Sequence, residues 1–180
     1  MNPLKLLSRV SVASFVFLLA CSDRTNVTDP EAEKFFHLGW SDQAREIQRL
    51  PPKRQMELYF LTRDQQRPFN QGLPIAVAAG GRNLIPQIRE MLSGHPTGLE
   101  QRELLCILMY METFNYADIA DDQPLMELAE QQVKSFTGVR LRQARKTVEL
   151  IREHALSSHA SAPPGNPWQR VVGAVDNCCT

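Results

Sequence analysis

The sequence predicts an all-α protein, an irregular array of about seven helices in a single domain. Three observations support this prediction. Apolar residues recur at steps of three and four along most of the chain, which is the period of a helix that buries one face. Capping residues, early prolines and terminal glycines delimit these stretches. No stretch combines alternating apolar and polar residues with turn residues, as strands would.

The first twenty residues have the features of an export signal. Lys5 and Arg9 precede the stretch from Val10 to Ala20, which is apolar apart from two serines. A charged segment followed by such a run is typical of a secretory signal peptide. The run is shorter than the roughly 20 apolar residues that span a bilayer, so an uncleaved spanning anchor is the weaker interpretation.

Leu18, Leu19, Ala20 and Cys21 resemble a bacterial lipobox. The resemblance implies that the first three residues are recognised by the signal peptidase and that Cys21 is lipidated and becomes the first residue of the mature protein. Several acyl chains exceed the two signals that stable anchoring needs. The alternative is an ordinary secretion signal, which would leave a secreted or soluble periplasmic protein.

The residues after the predicted cleavage site indicate a location and a tether. Ser22 is not the aspartate that the lipoprotein sorting rule associates with inner-membrane retention, so the resemblance implies the outer membrane, on its periplasmic side. Residues 21–30 are polar and are predicted to form a short lipidated tether.

Composition restricts the remaining 160 residues to one domain with a sizeable core. They carry 18 basic and 20 acidic residues, a balance that indicates neither nucleic acid nor an anionic membrane surface as a partner. Cys106, Cys178 and Cys179 remain, an odd number without zinc-ligand spacing. Stability is therefore expected from packing.

The predicted helical domain covers residues 31–156, and its first half contains four helices. Residues 41–50 form the first, and Pro51-Pro52 opens a second that continues to Arg63. The segment GLPIAVAAGG is a short third helix, ended by two glycines. The fourth runs from Asn83 to Gly94 and places a proline in its first turn, where the missing N–H costs little.

Three longer helices follow. The stretch from Glu100 to Phe114 contains LLCILMYM, which is apolar on every side and must therefore be buried between other helices. The next runs from Asp122, a capping residue, to Gly138. The last covers Val139 to Leu156, and its apolar face contains Leu141, Ala144, Val148, Ile151 and Ala155.

The order of these elements resembles helical-hairpin repeats of the HEAT and armadillo kind. AAGGRNLIPQIREMLSG is similar to the second helix of such a hairpin, and LEQRELLCILMYM to the first helix of the next. Glu57-Leu58 then corresponds to Glu103-Leu104, at an interval of roughly 41 to 46 residues that fits these repeats. The resemblance covers residues 41–156 and implies a short α-solenoid fragment, but no catalytic residue. An irregular bundle without repeat ancestry is the alternative.

No sharp enzyme motif is present, and we predict neither an enzyme nor a cofactor. Glu153-His154 lacks further metal ligands and is interpreted as a solvated helix face. Asp121 and Asp122 lie in a loop without the glycine and glutamate of a calcium site, so helix capping explains them better. Cys106 is interpreted as a core residue rather than a nucleophile.

The final predicted helix carries the candidate partner-binding residues Arg142, Arg145, Lys146 and Arg152. Glu149 partly neutralises them, at i+4 from Arg145 and i+3 from Lys146. A solvated face and a surface for an acidic partner are both compatible with this stretch. Residues 157–180 are predicted to be a flexible linker and tail.

These observations favour a membrane-anchored periplasmic protein that acts as a protein–protein interaction module or scaffold, because stacked helical hairpins create extended binding surfaces. The protein partner is not indicated. The alternative is an immunity or inhibitor protein that is complementary to one toxin or hydrolase. A periplasmic enzyme is less favoured, since it would need polar groups from distant helices to converge.

Overall fold

The computed structural model describes residues 29–158, with side chains up to His154, and confirms the all-α prediction. The described part contains eight α-helices and one 3₁₀ turn, and no strand. The helices are α1 (Pro30–Phe36), α2 (Trp40–Ile47), α3 (Pro52–Gln65), α4 (Leu73–Ala78), α5 (Ile85–Ser93), α6 (Gly98–Thr113), α7 (Gln123–Val133) and α8 (Gly138–Ser158); the 3₁₀ turn is Gly81–Leu84.

Alternate helices pack on one another in two rows. One row contains α2, α4, α6 and α8, each in contact with the next. The other contains α1, α3, α5 and α7 in the same manner. Each of the described helices after α1 therefore falls into the opposite row from the helix before it, an order that stacked helical hairpins also have.

Glu57 and Glu103, which the repeat resemblance aligns, lie on helices of different rows. Glu57 lies on α3, which packs in the row of α5, whereas Glu103 lies on α6, which packs between α4 and α8. Helix α4 lies between them in the sequence and has only six residues. All six are buried, and α4 packs between α2 and α6 in its row.

Helix α6 lies at the centre of the core. Its residues from Glu103 to Glu112 are all buried, including Cys106, so the prediction that this apolar helix is enclosed by others is confirmed. A capping box fixes its start, where the Thr97 hydroxyl accepts from the Glu100 N–H and the Glu100 carboxylate accepts from the Thr97 N–H. A contiguous apolar core surrounds this helix on all sides.

Several helix boundaries differ from the prediction. Asp122 caps α7 as expected, but α7 ends at Val133 and α8 begins at Gly138. The stretch predicted to begin at Asn83 starts as the 3₁₀ turn, where Gly81 has a φ of +56°. A Cβ at Gly81 would lie 2.7 Å from the Tyr116 carbonyl oxygen, so only glycine lets the loop after α6 pack this closely.

Helix α1 lies at the boundary of the predicted tether. Asp29 caps it by accepting from the Glu31 and Ala32 N–H groups, and Pro30 occupies its first turn. Arg54 on α3 pairs with Asp29, and its Nε donates to Glu31 at 2.8 Å. The pair between Asp29 and Arg54 therefore links α1 to α3, its neighbour in the same row.

The Asp29–Arg54 pair makes the free energy of unfolding depend on pH in the acidic range. The hydrogen bond from Arg54, followed by that from the Ala32 N–H, lowers the pKa of Asp29 below its ordinary value of 3.8, and the same pair raises the pKa of Arg54. Because the folded pKa is the lower one, the stabilising effect is complete only at pH values well above 3.8. It is lost as the pH falls through the folded pKa.

We expect Asp29→Asn, which keeps the capping oxygen but removes the charge, to lower the free energy of unfolding at neutral pH. The difference from the native chain should stay constant down to about pH 5 and disappear below the folded pKa of Asp29. Urea unfolding measured from pH 7 to pH 2.5 tests this. Glu33→Gln, also in the first turn of α1, is the control and should show a much smaller difference; equal effects of the two variants would contradict the assignment.

Candidate functional site

Helix α8 presents the predicted basic residues to solvent. Ala144, Val148 and Ile151 are buried, and the helix packs on α6 and α7. Arg142, Arg145, Lys146 and Arg152 are all exposed, as an amphipathic helix with a buried stripe requires. With 21 residues the helix is about 30 Å long, and the four basic residues occupy about 15 Å of it.

Ion pairs divide the four basic residues into two groups. The Lys146 Nζ lies 3.6 Å from both Glu149 and Glu153, and Arg152 pairs with Glu130 on α7. Glu149 therefore serves Lys146, and the predicted contact between Glu149 and Arg145 is not formed. The charges of Lys146 and Arg152 are largely neutralised within the domain.

Arg142 and Arg145 have no ion-pair partner among the residues that the structure describes. They are three residues apart and so are neighbours on the helix surface. Two exposed guanidinium groups that have no carboxylate partner can donate hydrogen bonds to a carboxylate of another molecule. Arginine often binds a carboxylate in bidentate fashion. They form the part of the predicted site whose charge remains available.

A buried carboxylate that the sequence analysis did not identify lies on α6. Glu103 accepts from the Tyr59 hydroxyl at 2.5 Å and from the Arg63 Nε at 3.1 Å, both on α3. Arg102 also contacts it at 3.1 Å. The side chain of Glu103 is only 1% exposed, so these three donors replace the water that an ionised carboxylate would otherwise bind.

Glu112 is a second buried carboxylate of α6. It accepts from the Ile119 N–H at 2.6 Å and from the Ala120 N–H at 3.1 Å, and thereby holds the loop that leads to α7. The Nδ1 atom of His154 on α8 lies 4.0 Å from it. The interpretation of His154 as part of a solvated face is wrong, since its side chain is only 23% exposed and lies beside Glu112.

The acidic loop between α6 and α7 has a structural role. Asp122 accepts from the Leu125 N–H as the N-cap of α7 and pairs with Arg89 on α5. Asp118 pairs with Arg82. Within residues 29–154 no group of three or more His, Cys, Asp or Glu side chains is arranged to hold a metal ion.

A glutamate at each end of the apolar run LLCILMYM could have suggested both buried carboxylates. Glu103 and Glu112 flank this run directly, within a helix that is enclosed on all sides. Two of the three donors to Glu103, Arg63 and Tyr59, lie 40 and 44 residues earlier in the sequence, and their identity depends on how α3 meets α6. The sequence pattern thus indicates where the carboxylates lie but does not identify the donors on α3.

The predicted anchor residues Leu18, Leu19, Ala20 and Cys21, together with most of the predicted linker and tail, lie outside the described residues. No helix in residues 29–158 is both long and apolar enough to cross a membrane. Comparisons of the chain with models of protein families, with curated proteins and with solved structures found no match.

We expect Glu103→Leu to lower the free energy of unfolding by about 3–5 kcal/mol, because it leaves two partly buried arginines and a buried hydroxyl without their acceptor. Chemical denaturation at pH 7 measures this loss. Glu127→Leu, at an exposed position on α7, is the control and should change stability by less than about 0.5 kcal/mol. Similar losses in both variants would contradict a special role of Glu103.

Proposed function

We propose that this protein is a lipid-anchored periplasmic protein whose helical domain binds a protein partner through the outer face of α8. The exposure of Arg142 and Arg145 without ion-pair partners in the described part of the chain is the observation that carries this proposal. Elsewhere the exposed arginines Arg45 and Arg49 have acidic neighbours one turn away, and Arg67 donates to two backbone carbonyl groups. Carboxylates on an acidic surface of the partner would pair with Arg142 and Arg145.

The lipid-anchored location rests on the lipobox resemblance at Leu18, Leu19, Ala20 and Cys21. Lipidation of Cys21, with Ser22 after it, supports attachment to the outer membrane on the periplasmic side. Residues 22–28 would then separate the lipid from the capping residue of α1. A tether of this length keeps the domain close to the membrane, where a membrane protein or another periplasmic protein can meet it.

The array of helices supports an interaction module rather than an enzyme. The two buried carboxylates of α6 are engaged within the described domain: Glu103 with α3, and Glu112 with the loop before α7. They stabilise the fold and offer no exposed general base or nucleophile in a cleft. The outer face of α8 is the feature that the core does not use.

We expect Arg142→Glu/Arg145→Glu to abolish capture of a protein partner from native cells. The reason is that charge reversal converts attraction to an acidic surface into repulsion. Crosslinking followed by affinity purification through a tag after Thr180 measures capture. Circular dichroism should show an unchanged fold, since both positions are exposed.

Lys34→Glu/Lys53→Glu is the matched control, since it makes the same change in net charge at two exposed lysines on α1 and α3. This variant should capture the partner as the native chain does. Equal loss in both variants would indicate a general charge effect and contradict a site on α8. A captured toxin or hydrolase whose activity is blocked would assign the immunity function to the same face.

We expect Cys21→Ser to prevent lipid labelling and to release the protein from the membrane fraction. Metabolic labelling with a fatty acid, followed by cell fractionation, measures both. Ser22→Ala is the control and should remain labelled and bound. If the Cys21→Ser variant is processed normally and the native protein is also absent from the membrane fraction, the lipid anchor is contradicted. Residues 1–20 would then be an ordinary signal peptide.

A further inference from the structure

Trp40, the first residue of α2, is the most exposed large aromatic residue in the described part of the chain, at 51%. Single exposed apolar residues are common on protein surfaces, but Trp is highly buried on average. The indole combines a large apolar ring with one N–H donor, and this combination is enriched at membrane–water interfaces. The exposed indole of Trp40 is therefore a candidate contact for a lipid surface.

Buried amide groups fix the backbone that carries Trp40. The Asn70 Nδ2 donates to the Trp40 carbonyl oxygen at 3.0 Å and to the Gln43 Oε1 at 3.1 Å. The Gln43 Nε2 donates to the Phe35 carbonyl oxygen at 3.2 Å, so the turn between α1 and α2 is held on both sides. Both amide side chains are buried. The fold thus presents the indole to solvent from a backbone that is fixed by a buried polar network.

The acidic residues of α2 leave no bare negative charge beside Trp40. Asp42 pairs with Arg45, and Glu46 pairs with Arg49. Within α2, which the structure describes in full, every carboxylate therefore has an ion-pair partner. Lipid phosphates, which repel carboxylates, meet no uncompensated one on this helix. The contact also needs no net positive charge on the domain, because burial of the apolar ring drives it.

The predicted tether is long enough to bring Trp40 to the bilayer. Asp29 is eight residues after Cys21, a separation of at most about 28 Å. Helix α1 and the four residues that follow it separate Asp29 from Trp40 by at most about 27 Å. Because the first length matches the second, Trp40 can reach the lipid surface whichever way α1 points.

Trp40 and the basic residues Arg142 and Arg145 lie at opposite ends of one row of helices. Trp40 begins α2, which packs on α4, and α6 lies between α4 and α8. Neighbouring helices pack at about 8–10 Å, so three such steps place α8 about 24–30 Å from α2. A membrane contact at α2 therefore does not use α8 and leaves its two arginines available to a partner.

We propose that the Trp40 indole inserts into the headgroup region of the membrane to which Cys21 is attached. The inference rests on the lipid anchor of the proposed function and adds a second membrane contact. A lipid on a flexible tether alone lets the domain rotate, whereas a second contact restricts which side of the domain faces the bilayer. The α2 end of the row then lies at the lipid surface, and Arg142 and Arg145 meet the partner at the other end.

Quenching of Trp40 fluorescence by brominated lipid measures this contact. The mature chain carries Trp168→Phe, which leaves Trp40 as its single Trp. It also carries Cys178→Ser/Cys179→Ser, which leaves Cys21 and the buried Cys106. Cys21 is then coupled to a maleimide lipid in vesicles of phosphatidylethanolamine and phosphatidylglycerol. Acyl chains brominated near the headgroup should remove a large part of the Trp40 emission, and the emission maximum should lie at a shorter wavelength than in the uncoupled chain.

Val139→Trp, in a chain that also carries Trp40→Phe and Trp168→Phe, is the matched control. Val139 is 58% exposed in the first turn of α8, so this variant places a single exposed indole at the other end of the row. Its emission should be unchanged by brominated lipid. Equal quenching of the two chains would mean that the tethered domain meets the bilayer without a preferred side, and would overturn the inference.

Iodide, which stays in water, tests whether another protein segment covers Trp40. In the uncoupled chain iodide should quench Trp40 as it quenches an exposed indole, and coupling to vesicles should reduce this quenching several-fold. Shielding of Trp40 before coupling would assign the surface to another segment of this chain or to a second copy, and would overturn the membrane contact.

The anchor and the contact are decided by different measurements. Lipid labelling of Cys21 in cells decides the anchor, and the coupled chain decides the contact. If Cys21 is labelled but Trp40 is not quenched in vesicles, the proposed anchor stands and the contact fails. If Trp40 is quenched but Cys21 is never labelled in cells, the anchor fails and the contact stands as a property of the tethered domain.

Discussion

Complete enclosure of α6 is the constraint on which the rest of the described structure depends. Its residues from Glu103 to Glu112 are buried on every side, so the chain must supply neighbours around the whole circumference of this helix. Helices α4 and α8 flank it within one row, and α5 covers it from the other. Because apolar burial provides most of the favourable free energy of folding, the placement of the other helices follows from this requirement.

The same constraint explains why the candidate interaction surface lies on α8. This helix closes its row, and it uses Ala144, Val148 and Ile151 to cover α6. Nothing in the described chain packs on its opposite side, so charged side chains collect there. The core thus determines which face of α8 is available, and the sequence of that face determines its positive charge.

Much of the fold was predictable because helical signals are local. Seven of the eight helices in residues 29–158 have apolar periodicity or capping residues that the sequence shows directly. Helix α1 begins within the predicted tether, where Asp29 and Pro30 are a start signal, but a seven-residue helix is too short for a periodic pattern. The pairs between Arg152 and Glu130, and between Tyr59 and Glu103, depend on tertiary packing and have no local signal.

The two buried carboxylates of α6 together fix the position of this helix along its own axis. Glu103 and Glu112 are nine residues apart, or about 13 Å along the helix, and each fits one fixed set of donors. An apolar helix alone could slide against its neighbours with little loss of contact. A slip of one turn, about 5.4 Å, would separate both carboxylates from their donors at once. The enclosed helix therefore has one register, and the positions of Arg102 at its start and of the loop at its end are set by the same two residues.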